Sequence, residues 1–313
     1  MEATLASIVA AAAPLILATM GETITERSGV INLSLEGSLR LSAMTGFVVA
    51  YFAGNALVGF AAAMVVGGVI AWVIAFGSIR LKLNQIAVGF VLTLLAIDLA
   101  SFLGDSYVGV RGEKVPPWPI PGLSEIPFLG DVLFSHNLVV YASFVAVGAA
   151  WYFLFRTRRG LELQGIGERP AAAFSRGVPV NRLRYVYTVL GGAMVGIAGA
   201  AYSLDVKLGW RETLTLNLGW IALAIVIFGG WHPVRVAFGC YLFGALQVAA
   251  FELQDVIPGL AQVLPIAPFP LMILALVLVS TDWLQRLADR WPRLRGVLVT
   301  EPPGAIGTVF ERE

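Results

Sequence analysis

Hydrophobic positions along this chain gather into about nine runs, eight to ten by the choice of boundary, split by short polar intervals. They fall near Leu5–Met20, Val30–Phe52, Ala56–Ile79, Gln85–Leu103, Asn137–Phe155, Tyr185–Leu204, Leu214–Gly229, Val234–Leu253 and Leu264–Trp283. Most approach the roughly 20 residues that carry a helix across a bilayer. The pattern predicts an all-α integral membrane protein. The seventh run, Leu214–Gly229, is short, which predicts a tilted, broken or re-entrant helix. The first run has no basic residue ahead of its apolar core and reads as a retained span rather than a cleaved leader.

The polar intervals orient the bundle. Residues 156–184 carry seven arginines against two glutamates, the bias of a loop held in the cytoplasm. Residues 104–135 hold two basic and four acidic side chains and the stiff run VPPWPIP, which suits the extracytoplasmic side. Arg286, Arg290, Arg293 and Arg295 place the tail inside, four runs after the arginine-rich loop. Counting back puts Arg80 and Lys82 inside and the N-terminus outside. One transmembrane domain over 1–284 and a cytoplasmic tail over 285–313 follow. The first four and last four runs would then enter from opposite sides, as an inverted repeat requires; Asn32-Leu33 and Asn217-Leu218 hold comparable places in the two halves.

Composition narrows the class further. The chain is 58% hydrophobic and 13% charged, with a mean hydropathy of +0.81. Its net charge of +1 gives nucleic acid no general basic coat to bind. A single cysteine, Cys240, removes disulfide frameworks and multi-cysteine metal sites, and His136 and His232 lack ligand spacing. There is no Gly-Lys pair, so no P-loop; HExxH and GxSxG are also missing. The 34 glycines, among them Gly191, Gly192, Gly196 and Gly199, favour close helix contact.

Charge inside a membrane costs about 2.5–3.5 kcal/mol at a helix centre, so each instance needs a reason. Glu36 and Arg40 share a helix face four residues apart and can neutralise each other. The preceding stretch GETITERSGVINLSLEG reads either as a broken helix lining a polar path or as an inner turn with a structural ion pair. Asn84, Gln85 and Thr93 can meet a hydroxylated solute or tie helices together. Asp98 has no basic residue within its own run.

The arginine-rich loop also predicts a short helix over Ala171–Ser175, started near Gly167, Glu168 and Pro170 and stopped at Gly177. Four passages, ERSGVINLSLEG, NQIAVGFVLTLLA, GIGERPAAAFSRGV and GWIALAIVIFGGWHPVRVAFGCYLFGAL, occur in that order over nearly the whole chain. Through them the chain resembles the permease subunits of bacterial ABC importers, in the group handling ribose, simple sugars, nucleosides and branched-chain amino acids. It is most similar to the nucleoside and simple-sugar branch. The resemblance implies that Gly167, Glu168, Arg169, Ala171, Ala172, Ala173, Arg176, Gly177 and Val178 form the coupling helix that docks on a separate ATPase subunit. It implies that ATP and magnesium are bound there rather than on this chain, which binds no cofactor. It further implies a second, paralogous permease, an extracytoplasmic substrate-binding protein and residence in the bacterial inner membrane. Glu36, Asn84, Gln85 and Asp98 are the candidates for the translocation path. A secondary transporter driven by an ion gradient is the alternative, and a membrane-embedded enzyme the third reading.

Overall fold

The computed structural model describes residues 2–112, 114–257, 259, 263–279 and 302–311. Each of the nine apolar runs carries a helix: α1 (Glu2–Arg27), α2 (Leu35–Ala53), α3 (Ala56–Ala75), α4 (Gln85–Gly104) and α5 (Leu138–Arg156), then α8 (Val180–Ala201), α9 (Leu218–Phe228), α10 (Pro233–Val256) and α11 (Pro268–Val279). Between α5 and α8 the arginine-rich loop folds into two further helices, α6 (Arg158–Glu168) and α7 (Pro170–Ser175). Among the described residues there are no strands, only isolated bridges such as Val108 with Trp210.

Among the described residues, six helical stretches are long and apolar enough to cross a membrane: Glu2–Arg27, Ala56–Arg80, Gln85–Tyr107, Leu138–Arg156, Val180–Val206 and Pro233–Gln254. The helices of the other three apolar runs fall short for different reasons. α2 is long enough but begins with Glu36, Ser38 and Arg40, all buried in protein. α9 has 11 residues, about 16 Å of helix, roughly half the hydrocarbon core. α11 has 12 described residues, and the rest of its run to Trp283 lies outside the described chain, as do the tail arginines.

The interruption expected across GETITERSGVINLSLEG starts later than its polarity suggests. α1 runs without a break through Glu22, Glu26 and Arg27. The chain then turns at Ser28, with Gly29 at φ +90°, and reaches α2 only at Leu35. Most of this turn is buried, so its polar groups must find partners in the protein.

α8 is the hub of the bundle, and its glycines explain why. A Cβ on Gly191 would meet the Gly21 carbonyl of α1, and one on Gly192 would lie 2.6 Å from the Gly67 carbonyl of α3. A Cβ on Gly196 would strike the Ala63 carbonyl of α3, and one on Gly199 would lie 2.6 Å from the Leu39 carbonyl of α2. Three neighbours therefore touch α8 backbone to backbone. In lipid, where apolar side chains gain little by leaving the solvent, such close approach is a main source of helix association.

Candidate functional site

At the arginine-rich end the loop is a two-helix elbow. Thr157 caps α6: its hydroxyl accepts from the Gly160 amide at 3.0 Å and donates to the Phe153 carbonyl at 2.7 Å. α6 buries Leu163 and Ile166 against Leu154, Val180 and Tyr187. Its composition is too polar for an apolar run, and it was missed by the sequence pattern. At Arg169 the backbone leaves the helix (φ −143°, ψ 78°), and Pro170 restarts it as α7. Gly177 at φ +83° stops α7, as its place in the sequence predicts.

The residues assigned to coupling divide by exposure. Glu168, Arg169, Ala171, Ala172, Arg176 and Gly177 are exposed and Val178 half-buried, whereas Gly167 and Ala173 are buried. Gly167 does not start α7; it ends α6, packed against the Arg27 carbonyl so tightly that a Cβ has no room. Ala173 packs beneath α7 beside Val178 and Phe310. The presented face is small and smooth, with Phe174 beside Ala171 and Ala172.

The same end gathers the polar residues of α1. Glu22 accepts from the Asn32 amide at 3.1 Å, and Glu26 accepts from the Trp231 indole. Arg27 donates to the Trp231 carbonyl at 3.3 Å and lies 4.0 Å from Glu168. Asn32 accepts in turn from Ser34, so the turn after α1 is laced to it. Trp231 sits at φ +54° in the turn before α10, beside His232, whose ring stacks on Phe155 at 5.2 Å. Burial, with Arg235 and Arg27 nearby, pushes the His232 imidazole down to about 4.

Glu36 marks a second joint. It pairs with Arg40 at 3.3 Å, as the i, i+4 spacing predicts. It also accepts from the amides of Asn217 at 3.0 Å and Gly219 at 2.8 Å. A buried carboxylate thus caps the N-terminus of α9, where free N–H groups and the helix dipole favour negative charge. Of the other path candidates, Asn84 caps α4 by accepting from Ala87 at 3.1 Å. Gln85 is buried and accepts from the Ile31 amide at 2.8 Å, and Thr93 donates to the Leu33 carbonyl at 2.8 Å. Both tie α4 to the turn between α1 and α2. Asp98 is different: it is exposed, with no hydrogen bond or ion pair among the described residues. It stands on a face of α4 with Leu94, Leu95, Leu99 and Phe102, all exposed.

The model of the branched-chain amino acid transport system permease component matches residues 4–279. The chain belongs to that permease family. It is 39% identical over 263 residues to a putative glucose ABC transporter permease protein, TsgC13, of Haloferax volcanii, covering 83% of this chain and 80% of that one. It is 33% identical over 284 residues to the guanosine ABC transporter permease protein NupQ of Bacillus subtilis, covering 85% and 88%. A second Haloferax volcanii relative, the glucose ABC transporter permease protein TsgB13, is 27% identical over 269 residues, covering 80% and 70%. No solved structure matches. With six long apolar helices among the described residues, the chain is a multi-pass membrane protein of the nucleoside and simple-sugar branch, whose relatives are named as transporter permease components.

Proposed function

We propose that this chain is the permease subunit of an ATP-driven importer in the inner membrane. It would carry a small hydroxylated solute, a nucleoside first and a simple sugar next, along a path shared with a second, paralogous permease. The solute reading rests on relatives named for guanosine and glucose, and the paired permease on the two Haloferax volcanii relatives. ATP and magnesium would act on separate ATPase subunits, and a binding protein would deliver the solute from outside. We assign nine crossings with the N-terminus outside and the arginine-rich end inside. Helical breaks before α2 and α9, at Asn32 and Asn217, support the inverted repeat.

The observation that carries this reading is α7. It is six residues long, exposes Ala171, Ala172 and Phe174, and is braced from behind by α6 and α8. A short helix on a rigid bracket transmits rigid-body displacement, because packed elements move together rather than bend. Arg169 and Arg176 flank it and suit an acidic rim on the partner. Among the path candidates, Asp98 is the one whose structure leaves a ligand or partner to be found; Glu36, Asn84 and Gln85 would position the path rather than touch solute.

The test replaces Ala172 with glutamate in the assembled transporter. Transport should be lost and ATPase co-purification should fall, with membrane insertion intact; normal transport would remove α7 from the mechanism. In the same preparation an impermeant thiol reagent should label a cysteine at Ser124 from outside and leave one at Ser175 untouched. The opposite labelling would overturn the orientation, and uptake without any ATPase would favour an ion-driven carrier.

A further inference from the structure

Residues 302–311 return to the arginine-rich end and lie across it. The Ala305 amide donates to the Gly167 carbonyl at 2.8 Å and the Gly304 amide to Glu168 at 3.0 Å, both at the end of α6. The Gly307 amide donates to the Gly29 carbonyl at 3.0 Å, in the turn after α1. Phe310 packs against Phe174 of α7, the rings tilted at 57° with centres 5.6 Å apart, and is buried beside Ala173 and Val180. Lys82, beyond α3, pairs with Glu311 at 3.1 Å, an exposed bridge of little weight. One short segment thus bonds to the elbow on one side and to the α1–α2 turn on the other.

Beneath it lies Arg184, 1% exposed and bonded to no carboxylate among the described residues. Its guanidinium donates to the Ser28 carbonyl at 3.1 Å, the Ile166 carbonyl at 3.4 Å and the Thr308 carbonyl at 2.7 Å. The first two belong to the C-terminal ends of α1 and α6, where unsatisfied carbonyls and the helix dipole favour a cation. The third is supplied by the segment itself.

We infer that residues 302–311 are a strap that makes the α6–α7 elbow and the Ser28–Ser34 turn move as one body, with Arg184 and Phe310 as its positioning residues. The inference rests on α7 being the place where the ATPase docks. Direct contact of Gly167 with Arg27 resists compression, whereas against a pull the long 4.0 Å Arg27–Glu168 pair and the Arg184 bridge hold the two sides with few bonds, to which the segment adds its own. The strap bonds to both sides and so carries displacement in either direction. From the turn the displacement passes to α4 through Gln85 and Thr93, and to α9 through the Glu36 joint.

The experiment uses the complete transporter in liposomes, with labelled guanosine and labelled glucose as probes. Solute moved per ATP is compared for the full chain, a chain ending at residue 301, Phe310→Ala and Phe310→Leu. The shortened chain should keep its ATPase and hydrolyse ATP, while solute moved per ATP falls about tenfold, within the usual range of coupling between sites. Phe310→Ala should fall part of the way, and Phe310→Leu should recover most of the loss. An unchanged or higher ratio in the shortened chain overturns the strap, as does loss of the ATPase, which would make the segment a docking site instead. If the full chain fails to hold an ATPase, the importer reading itself fails, before any variant is compared.

Discussion

Glu36 offers the sharpest test of how the two halves of this permease are joined. Its carboxylate, itself buried, holds the buried Arg40 and two amides at the start of α9. Glu36→Ala leaves Arg40, 7% exposed, as a buried cation without an anion. Breaking a buried pair in this way costs about 3–5 kcal/mol. The Asn217 and Gly219 amides lose their acceptor as well, at about 1–3 kcal/mol for a donor left unpaired. These costs share one cavity and will not simply add.

The double variant Glu36→Leu with Arg40→Met separates the two. Replacing both charges by apolar groups removes the ionic penalty, so stability should recover except for the α9 amides. The assay is thermal unfolding of the purified chain in detergent, followed by tryptophan fluorescence, for wild type, single and double variants. A cysteine placed at Asn217 adds a local readout, since α9 should loosen and label faster in Glu36→Ala. An unfolding temperature equal to wild type in Glu36→Ala would refute the joint. A double variant no better than the single would refute the ionic part of the reasoning and leave only the cap.

Two further predictions concern the bundle. Gly196→Val drives a side chain into the Ala63 carbonyl of α3, so α3 and α8 must separate; unfolding in detergent should occur at lower temperature, by about 1–3 kcal/mol of overpacking, whereas Gly165→Ala, with open space around it, should leave the temperature unchanged. Asp98→Leu extends the apolar face of α4, so the isolated chain should be no less stable; uptake by the assembled transporter should fall if that face lines the path or meets the second permease, and unaltered uptake would release Asp98 from function.

The helices were legible because lipid-facing sequence is simple: runs of apolar residues near span length become helices at or close to the expected places. What was not legible follows from polarity and distance. α6 has charged and polar residues over most of its length, and only Leu163, Ile166 and the Thr157 cap betray it. The Glu36–Arg40 pair was readable from a spacing of four, but its bonds to α9 cross 181 and 183 residues. Arg184 was counted with six other arginines as a sign of topology; its burial under the ends of α1 and α6 leaves no local mark. Gly167 was readable as a helix punctuation point, though as the end of α6 rather than the start of α7. Asn84 and Gln85 were readable as polar residues at the head of α4, but the cap on α4 and the bond to the Ile31 amide, 54 residues away, were not.

Irregular backbone buried in a helical bundle survives only where protein satisfies its polar groups. The turn over Ser28–Ser34 meets that condition through Asn32, Gln85, Thr93 and Arg184, and the stretch before α9 meets it through Glu36. A chain that turns back between α1 and α2 must leave the helix there, and the side chains that satisfy its free groups also fix how the flanking pieces sit. The two breaks supply joints: short connections between rigid pieces, each held by a few replaceable hydrogen bonds. Both joints connect to the elbow, one through the strap and Arg184, the other one step further through α2. A pull on α7 therefore reaches the start of α9 across a continuous series of bonded contacts. A permease worked from its arginine-rich end, as proposed above, would use that continuity, whereas a carrier driven by an ion crossing the bundle would not need a handle outside it.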